Sequence, residues 1–336
     1  MNIIIPMAGI GTRMRPHTLT TPKPLLEIAG ITIVERLIRD LAKTVNGKVD
    51  EVSFVIGDFG KKVESTLHSI SASLGYQSKI YYQFEALGTA HALWFARESM
   101  HGAVLVAYAD TLFSADFQLD PLADGYIWTK QIEDPSQFGV VVPDTKGYIT
   151  RFVEKSKEAI SDQAIIGIYY FKDGESLRHE IDYLLDNKMT VNGEYQLTDA
   201  LENLKNKGFK LKVAQVDRWF DCGNKNAMVD TNKEILRLNE DGNLIDPSVI
   251  MENTDFIGPC YIGKDVKISN SKIGPFVSIS EGTIIENSEV SNSIIYAESH
   301  IKNASVDNSM IGNHVKYFGV SRKNVSMGDY SEIIEE

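Results

Sequence analysis

Residues 2–26 read NIIIPMAGIGTRMRPHTLTTPKPLL. The apolar run Asn2–Pro6 is short and continuous, as in a strand buried on both faces. It opens into the loop Ala8-Gly9-Ile10-Gly11-Thr12-Arg13-Met14-Arg15-Pro16-His17-Thr18, which holds two glycines. Glycines permit a tight turn and let backbone N–H groups approach a ligand, a geometry that favours phosphate oxygens. Charge sharpens the reading. The first 26 residues contain Arg13, Arg15 and Lys23 and no acid, where the chain's average would place about three or four acids. A cationic pocket in an anionic chain suits a polyphosphate, which arginine can grip through two parallel hydrogen bonds. The loop lacks GxxxxGK[ST] and does not complete GxGxxG, so it is neither a Walker loop nor a dinucleotide fingerprint.

Outward from this strand, the next residues alternate between β-rich and amphipathic stretches. The pattern predicts helices over Ile33–Thr44, Lys61–Leu74 and Thr89–Met100, and strands over Glu51–Ile56, Lys79–Gln83 and Ala103–Ala109. Such alternation implies βαβ units and a mostly parallel sheet, whose ligands bind beyond the carboxyl ends of the strands. Residues just after Pro6 and Ala109 are placed there before any motif is invoked. Strand-rich sequence follows from Gly139 to Phe171, then helical patterns over Gly174–Asn187 and Thr198–Lys207, a strand over Phe209–Val216 and a helix over Asn224–Asn239.

The final third changes character. Aliphatic or aromatic residues recur every five or six positions at Phe256, Ile262, Ile268, Ile273, Ile279, Ile285, Val290, Ile295, Ile301, Val306 and Ile311. A helix needs a period of 3.6 and a half-buried strand a period of 2. A six-residue rhythm instead fits a parallel β-helix, in which each short face turns one aliphatic inward and small polar residues take the corners. About three coils of roughly 18 residues are expected. The expected division is a catalytic domain at 1–240, a linker at 241–249, the repeat at 250–320 and a tail at 321–336.

The chain has 336 residues, with hydrophobic residues at 43%, charged residues at 24% and a net charge of −12. These are ordinary globular values, and the acidic balance disfavours partners such as nucleic acid or an anionic membrane. Cys222 and Cys260 are too few for a secreted disulfide framework. No run of about 18 apolar residues and no secretory leader is seen, so a cytoplasmic protein is expected.

The run AGIGTRMRPHTLTTPKPLL resembles the G-x-G-T-R and P-K-P-L signature of sugar-1-phosphate nucleotidyltransferases. It is most similar to the UTP–glucose-1-phosphate uridylyltransferase and long-form glucose-1-phosphate thymidylyltransferase branches. Further matches follow in the family's order: Gln83-x-x-x-x-Gly88-Thr89-Ala90, Tyr108-Ala109-Asp110, Gly139-Val140-Val141, Phe152-Val153-Glu154-Lys155, Gly167-Ile168-Tyr169, Gly193-Glu194-Tyr195 and Trp219-Phe220-Asp221-Cys222-Gly223. The chain departs from the family in three places. Ala8-Gly9-Ile10-Gly11 stands for two adjacent glycines, Asn224 for the usual Thr, and Ser156 for a frequent Pro.

The resemblance implies a Rossmann-like mixed α/β sheet of GT-A type with a C-terminal left-handed parallel β-helix. It implies transfer of a nucleotidyl group from UTP or dTTP to a hexose 1-phosphate, with release of pyrophosphate. Arg13, Lys23 and Asp110 would be catalytic. Ala8, Gly9, Gly11, Thr12, Arg13, Gln83, Gly88 and Thr89 would bind the nucleotide. Gly139, Glu154, Lys155 and Glu194 would bind the sugar phosphate, and Asp110 and Asp221 would hold Mg²⁺. The repeat is expected to build a homo-oligomer.

Blander readings stand beside these. An Asp after a strand also caps helices. Lys155 lies in a charge run and Gln83 fits a solvent-facing strand end. Cys222 reads as a packed thiol, Trp219 as core, and His91 as a helix residue without metal partners. A silent regulatory or assembly homologue, an enzyme using GTP and mannose 1-phosphate, and acyl transfer by His300 or His314 are the other functions weighed.

Overall fold

The computed structural model describes residues 1–44, 49–115, 120, 122–154, 160–239 and 244–335. They fall into two compact units. One comprises Met1–Gly9 and Val34–Trp219, and the other Ile10–Ile33 with the chain from Phe220 onward.

The first unit is built on a nine-stranded sheet. Its strands are β1 (Asn2–Pro6), β2 (Glu51–Ile56), β3 (Gln77–Tyr82), β4 (Val104–Ala107), β5 (Gly125–Gln131), β6 (Gly139–Pro143), β7 (Ile149–Glu154), β8 (Gln163–Phe171) and β9 (Leu211–Gln215). The order is β7-β6-β8-β4-β1-β2-β3, with β5 bonded to β8 and β9 to β5. β4, β1, β2 and β3 are mutually parallel, while β8 runs antiparallel to β4, β5 and β6. The sheet is therefore mixed. β1 and β2 are buried at every position, which is why both read as continuous runs rather than alternating ones.

The helices are α1 (Ile33–Thr44), α2 (Lys61–Ser73), α3 (Thr89–Phe95), α4 (Gly174–Asp186), α5 (Leu197–Asn206) and α6 (Lys225–Leu238). α1 has the expected bounds. α3 stops short of the expected Met100 because the chain tightens into a 3₁₀ turn at Arg97–Ser99, where the Arg97 guanidinium lies 4.1 Å from the Trp94 ring. Leu93, Val104, Ile127, Leu177, Leu201 and neighbouring side chains form the core between helices and sheet.

In the second unit the chain beyond α6 forms strands of two or three residues, stacked in parallel into two six-stranded sheets and one of five. This is a parallel β-helix. Every expected aliphatic from Ile262 to Ile311 is buried, and Phe256 packs half-buried against them. The coil is tighter and longer than the sequence suggested. Asn253 bonds to Asn270, 17 residues on, and Asn287 to Asn303, 16 residues on. Pairing begins at Leu244–Ile245 and continues to Glu332–Ile334, beyond the expected 250–320 at both ends.

The corners explain the abundance of Asn. Asn253, Asn270, Asn287 and Asn303 share left-handed backbone, with φ between 47° and 50°, and Asn tolerates this conformation better than most residues. Several interior serine hydroxyls bond from coil to coil. The Ser293 hydroxyl donates to the Ser291 carbonyl and accepts the N–H of Ser309 in the next coil.

Candidate active site

In the first unit, β1 and its neighbour β4 end side by side. Met7 N–H donates to the Val55 carbonyl at 2.8 Å, Ala109 N–H to the Pro6 carbonyl at 3.5 Å, and Tyr108 N–H to the Gly167 carbonyl at 3.0 Å. Ala8 and Gly9 therefore leave the sheet at the same edge as Asp110, which is half-buried just past β4.

Tyr108 organises the surrounding groups. Its hydroxyl donates to the Thr89 carbonyl at 3.1 Å. Burial holds the Tyr108 phenol well above its ordinary pKa, and the nearby Tyr169, Asp110 and Glu154 add to the effect. Burial and Glu154 raise Tyr169 as well. Both phenols thus stay neutral, and that of Tyr108 donates.

Gly88 sits at φ 107° and ψ 175°, a region essentially closed to other residues. A β-carbon there would stand 2.4 Å from the Tyr195 carbonyl oxygen. Tyr195 N–H donates to Leu87 and Ala90 N–H to Tyr195, so these two segments interlock. The Thr89 hydroxyl accepts the Leu197 N–H at 2.9 Å and so anchors the start of α5. Gln83 is buried, not solvent-facing, and its amide Nε2 meets His91 Nδ1 at 3.1 Å. His91 lies on α3, with its pKa lowered by burial.

Gly139 and Glu154 face each other in the register of β6 and β7. A β-carbon on Gly139 would stand 3.0 Å from Glu154 Oε2, which also accepts the Thr198 hydroxyl at 3.0 Å. Glu194 is exposed on a tight turn and accepts from Gln196 at 2.9 Å. Lys155 lies outside the described residues.

In the second unit, Gly11 adopts the left-handed conformation with φ 67°. Its carbonyl receives the Met14 N–H at 2.9 Å and the Thr18 hydroxyl at 2.8 Å. Thr12–Met14 forms a 3₁₀ turn that buries Met14 and leaves Thr12 and Arg13 exposed. Lys23 opens the third 3₁₀ turn of the loop, and its Cβ lies 3.2 Å from the point where a Gly11 side chain would begin. Asp221 is exposed, and its Oδ1 accepts the Gly223 N–H at 2.8 Å. A β-carbon on Gly223 would stand 2.8 Å from that oxygen and 3.4 Å from an Arg13 guanidinium nitrogen. Arg13 and Asp221, 208 positions apart in sequence, thus converge on one glycine. Asn224 accepts the Ala227 N–H at 3.1 Å and caps α6. Cys222 is a fully buried thiol, and Trp219, in the first unit, packs edge-on to Phe138.

Residues 2–237 match the nucleotidyl transferase family model. The chain belongs to the nucleotidyl transferase family. It is 27% identical to a glucose-1-phosphate thymidylyltransferase of Streptomyces antibioticus, with 99% of each chain covered. It is 24% identical to the low-salt glycan biosynthesis nucleotidyltransferase Agl11 of Haloferax volcanii, over 93% of this chain and 92% of that one. A bifunctional protein GlmU of Alkaliphilus metalliredigens is 26% identical over 99% of this chain and 78% of its own length.

Tyr108 and Tyr195 stand inside motifs of this nucleotidyltransferase, yet no local pattern signals the bonds they make to Thr89 and to Leu87 and Ala90. Thr198, 44 residues from the Glu154 it bonds, carries no local signal at all. Among the described residues no three His, Cys, Asp or Glu side chains are grouped to hold a metal ion. Mg²⁺ commonly takes only one or two carboxylates and completes its shell with water and phosphate. Asp221, with one oxygen oriented by the Gly223 N–H and its side chain exposed, fits that donor set. No helix among the described residues is long and apolar enough to cross a membrane.

Proposed function

We propose that this nucleotidyltransferase joins UTP or dTTP to a hexose 1-phosphate. An oxygen of the sugar phosphate attacks the α-phosphorus, the bond to the β-phosphate oxygen breaks, and pyrophosphate leaves. The attacking oxygen is already anionic, so alignment and charge neutralisation carry most of the rate. Arg13 grips the departing pyrophosphate, with backbone at Ala8, Gly9, Gly11 and Thr12 lining the phosphates. Lys23 contacts the α-phosphate or the sugar phosphate, and Lys155 the sugar phosphate. Gln83, the Gly88 backbone and Thr89 face the pyrimidine. Glu154 and Glu194 accept hydrogen bonds from sugar hydroxyls beside Gly139. Asp110 and Asp221 are the ligands for Mg²⁺, which when bound would offset charge developing on the α-phosphate.

The observation that carries this reading is the convergence of Arg13 and Asp221 on Gly223. A guanidinium and a carboxylate brought to one glycine suit a polyphosphate carrying a divalent ion, which supports these assignments. The end-to-end similarity to a thymidylyltransferase supports the same chemistry. The test is pyrophosphate release with UTP, dTTP, GTP or ATP against a panel of sugar phosphates, with and without Mg²⁺. Release with UTP or dTTP and glucose 1-phosphate is expected, and release from GTP with mannose 1-phosphate alone would overturn the specificity. Silence in every arm would favour a regulatory homologue, although Arg13, Lys23, Asp110 and Asp221 are all present.

We propose further that catalysis rests on residues 1–240, in the cytoplasm where the nucleotide substrates are made, and that the coil builds a homo-oligomer. Its first turn leaves Leu244, Ile245, Ile250 and Ile257 exposed next to unpaired strand edges. Light scattering of Ile250→Lys should show a smaller particle than the parent, and an unchanged mass would defeat the idea.

A further inference from the structure

The loop carrying Arg13 and Lys23 contains no long helix or sheet strand, only three 3₁₀ turns and a two-strand hairpin. Something outside it must fix its shape, because its cations repel one another. That support is one face of the β-helix. Tyr261, Ser278, Ser280, Tyr296 and Ser326 lie along it, in four of its turns. The Ser278 hydroxyl and the Ala29 N–H share Asn232 Oδ1 at 2.6 and 3.2 Å. The Tyr296 hydroxyl donates to the Glu27 carbonyl at 3.3 Å. Further contacts lie on the last strand of this face and the turn just after it. The Thr20 hydroxyl donates to Asp329 Oδ2 at 2.7 Å, and His17 Nε2 lies 3.1 Å from Ser326 Oγ. Pro16 presses so closely on Gly328 that a β-carbon there would stand 2.9 Å from Pro16 Cβ.

These contacts reach the phosphate-binding groups through Thr18. It sits between His17 and Leu19 and donates to the Gly11 carbonyl at 2.8 Å. Gly11 in turn packs against Lys23 and Thr18. Fixing residues 16–20 therefore fixes the turn that presents Arg13.

We propose that the last turn of the β-helix, through Gly328 and Asp329, is a positioning element that sets the pose of Arg13 and Lys23 for the nucleoside triphosphate. This rests on the reading of the loop as the triphosphate site. The coil then has a part in catalysis that is separate from assembly. Asp329 and Gly328 are not among the residues assigned above to either substrate. Asp329 uses Oδ1 to hold Asn313 of the preceding turn, at 2.8 and 3.1 Å, and Oδ2 to hold the loop.

The test compares the full-length protein with Thr20→Val, Thr20→Ser, Gly328→Ala and Arg13→Ala. In Thr20→Val the loss of one charge-assisted hydrogen bond should raise KM for the nucleoside triphosphate about fivefold to tenfold. KM for the sugar phosphate and the melting temperature should stay at parent values. Thr20→Ser should restore the parent KM, and Gly328→Ala should reproduce the defect from the coil side. If Arg13→Ala is inactive but Thr20→Val and Gly328→Ala keep the parent KM, or raise both KM values together, the positioning role is overturned. If Arg13→Ala turns over normally, the loop is not the triphosphate site and the proposal falls with that reading.

Discussion

Replacing Gly88 by Ala perturbs the nucleotide-facing segment in a way the structure makes quantitative. The backbone at Gly88 has φ 107° and ψ 175°, and a side chain there costs about 2 kcal/mol. The new β-carbon would stand 2.4, 2.7 and 2.9 Å from the Tyr195 carbonyl oxygen, nitrogen and carbonyl carbon. These are backbone atoms and cannot rotate away. Tyr195 must shift, which breaks the Tyr195-to-Leu87 and Ala90-to-Tyr195 hydrogen bonds of 2.8 and 3.0 Å. At about 1 kcal/mol each, these bring the expected loss to about 4 kcal/mol. That is a large share of a typical domain stability of about 5–15 kcal/mol. The assay is urea unfolding followed by tryptophan fluorescence. Trp94, Trp128 and Trp219 all lie in the first unit, so the signal reports that unit alone. The midpoint should fall and the coil's circular dichroism transition should stay in place. KM for the nucleoside triphosphate should rise in whatever fraction remains folded. A Gly88→Ala protein with the parent midpoint and parent KM would refute the claim that Gly88 is held by backbone contact.

Asp110→Asn should cut turnover at least about a hundredfold while leaving the unfolding curve unchanged, as measured by pyrophosphate release at saturating Mg²⁺. His17 should make stability depend on pH. Burial lowers its pKa to about 4 from the ordinary histidine value of 6.5, against a smaller opposing pull from Asp329. The unfolded chain therefore binds a proton that the folded one refuses. The contribution of neutral His17 is complete above pH 6.5 and shrinks as pH falls toward 4, by up to about 3 kcal/mol. Chemical denaturation of parent and His17→Gln between those pH values should show the parent losing more. Ile279→Ala, at a fully buried position of the coil, should cost about 2–5 kcal/mol, seen as an earlier thermal transition of the coil.

The elements most legible in the sequence were those with an unbroken apolar run or a clear helical spacing of apolar residues. Asn2–Pro6, Glu51–Ile56 and Ile33–Thr44 appear with the expected bounds because their apolar patterns have a single structural solution. The coil was legible where one aliphatic per face points inward. It faded at its ends for a visible reason. In the last turn Arg322 pairs in register with Val306, so a cation stands where the rhythm calls for an aliphatic. At the first turn the apolar residues are exposed, so their spacing signals no core. The motif residues of the candidate site could be named from their order alone. The partners that orient them could not: Tyr108 reaches Thr89, Thr198 reaches Glu154, and Thr20 reaches Asp329 across 309 residues. Such contacts follow from topology, which no local window contains.

The stacked coil has one further consequence. In a linear stack each turn leans only on its neighbours, so loosening starts at the free ends and travels inward. The carboxylate and glycine that contact the cationic loop lie in the last turn of the stack, just before the strand Glu332–Ile334. A deletion of residues 325–336 would leave the cationic loop itself intact. Yet it would strip the buttress from Pro16 and Thr20, and so a lesion at one extremity of the polypeptide would be felt within the first twenty residues of the other.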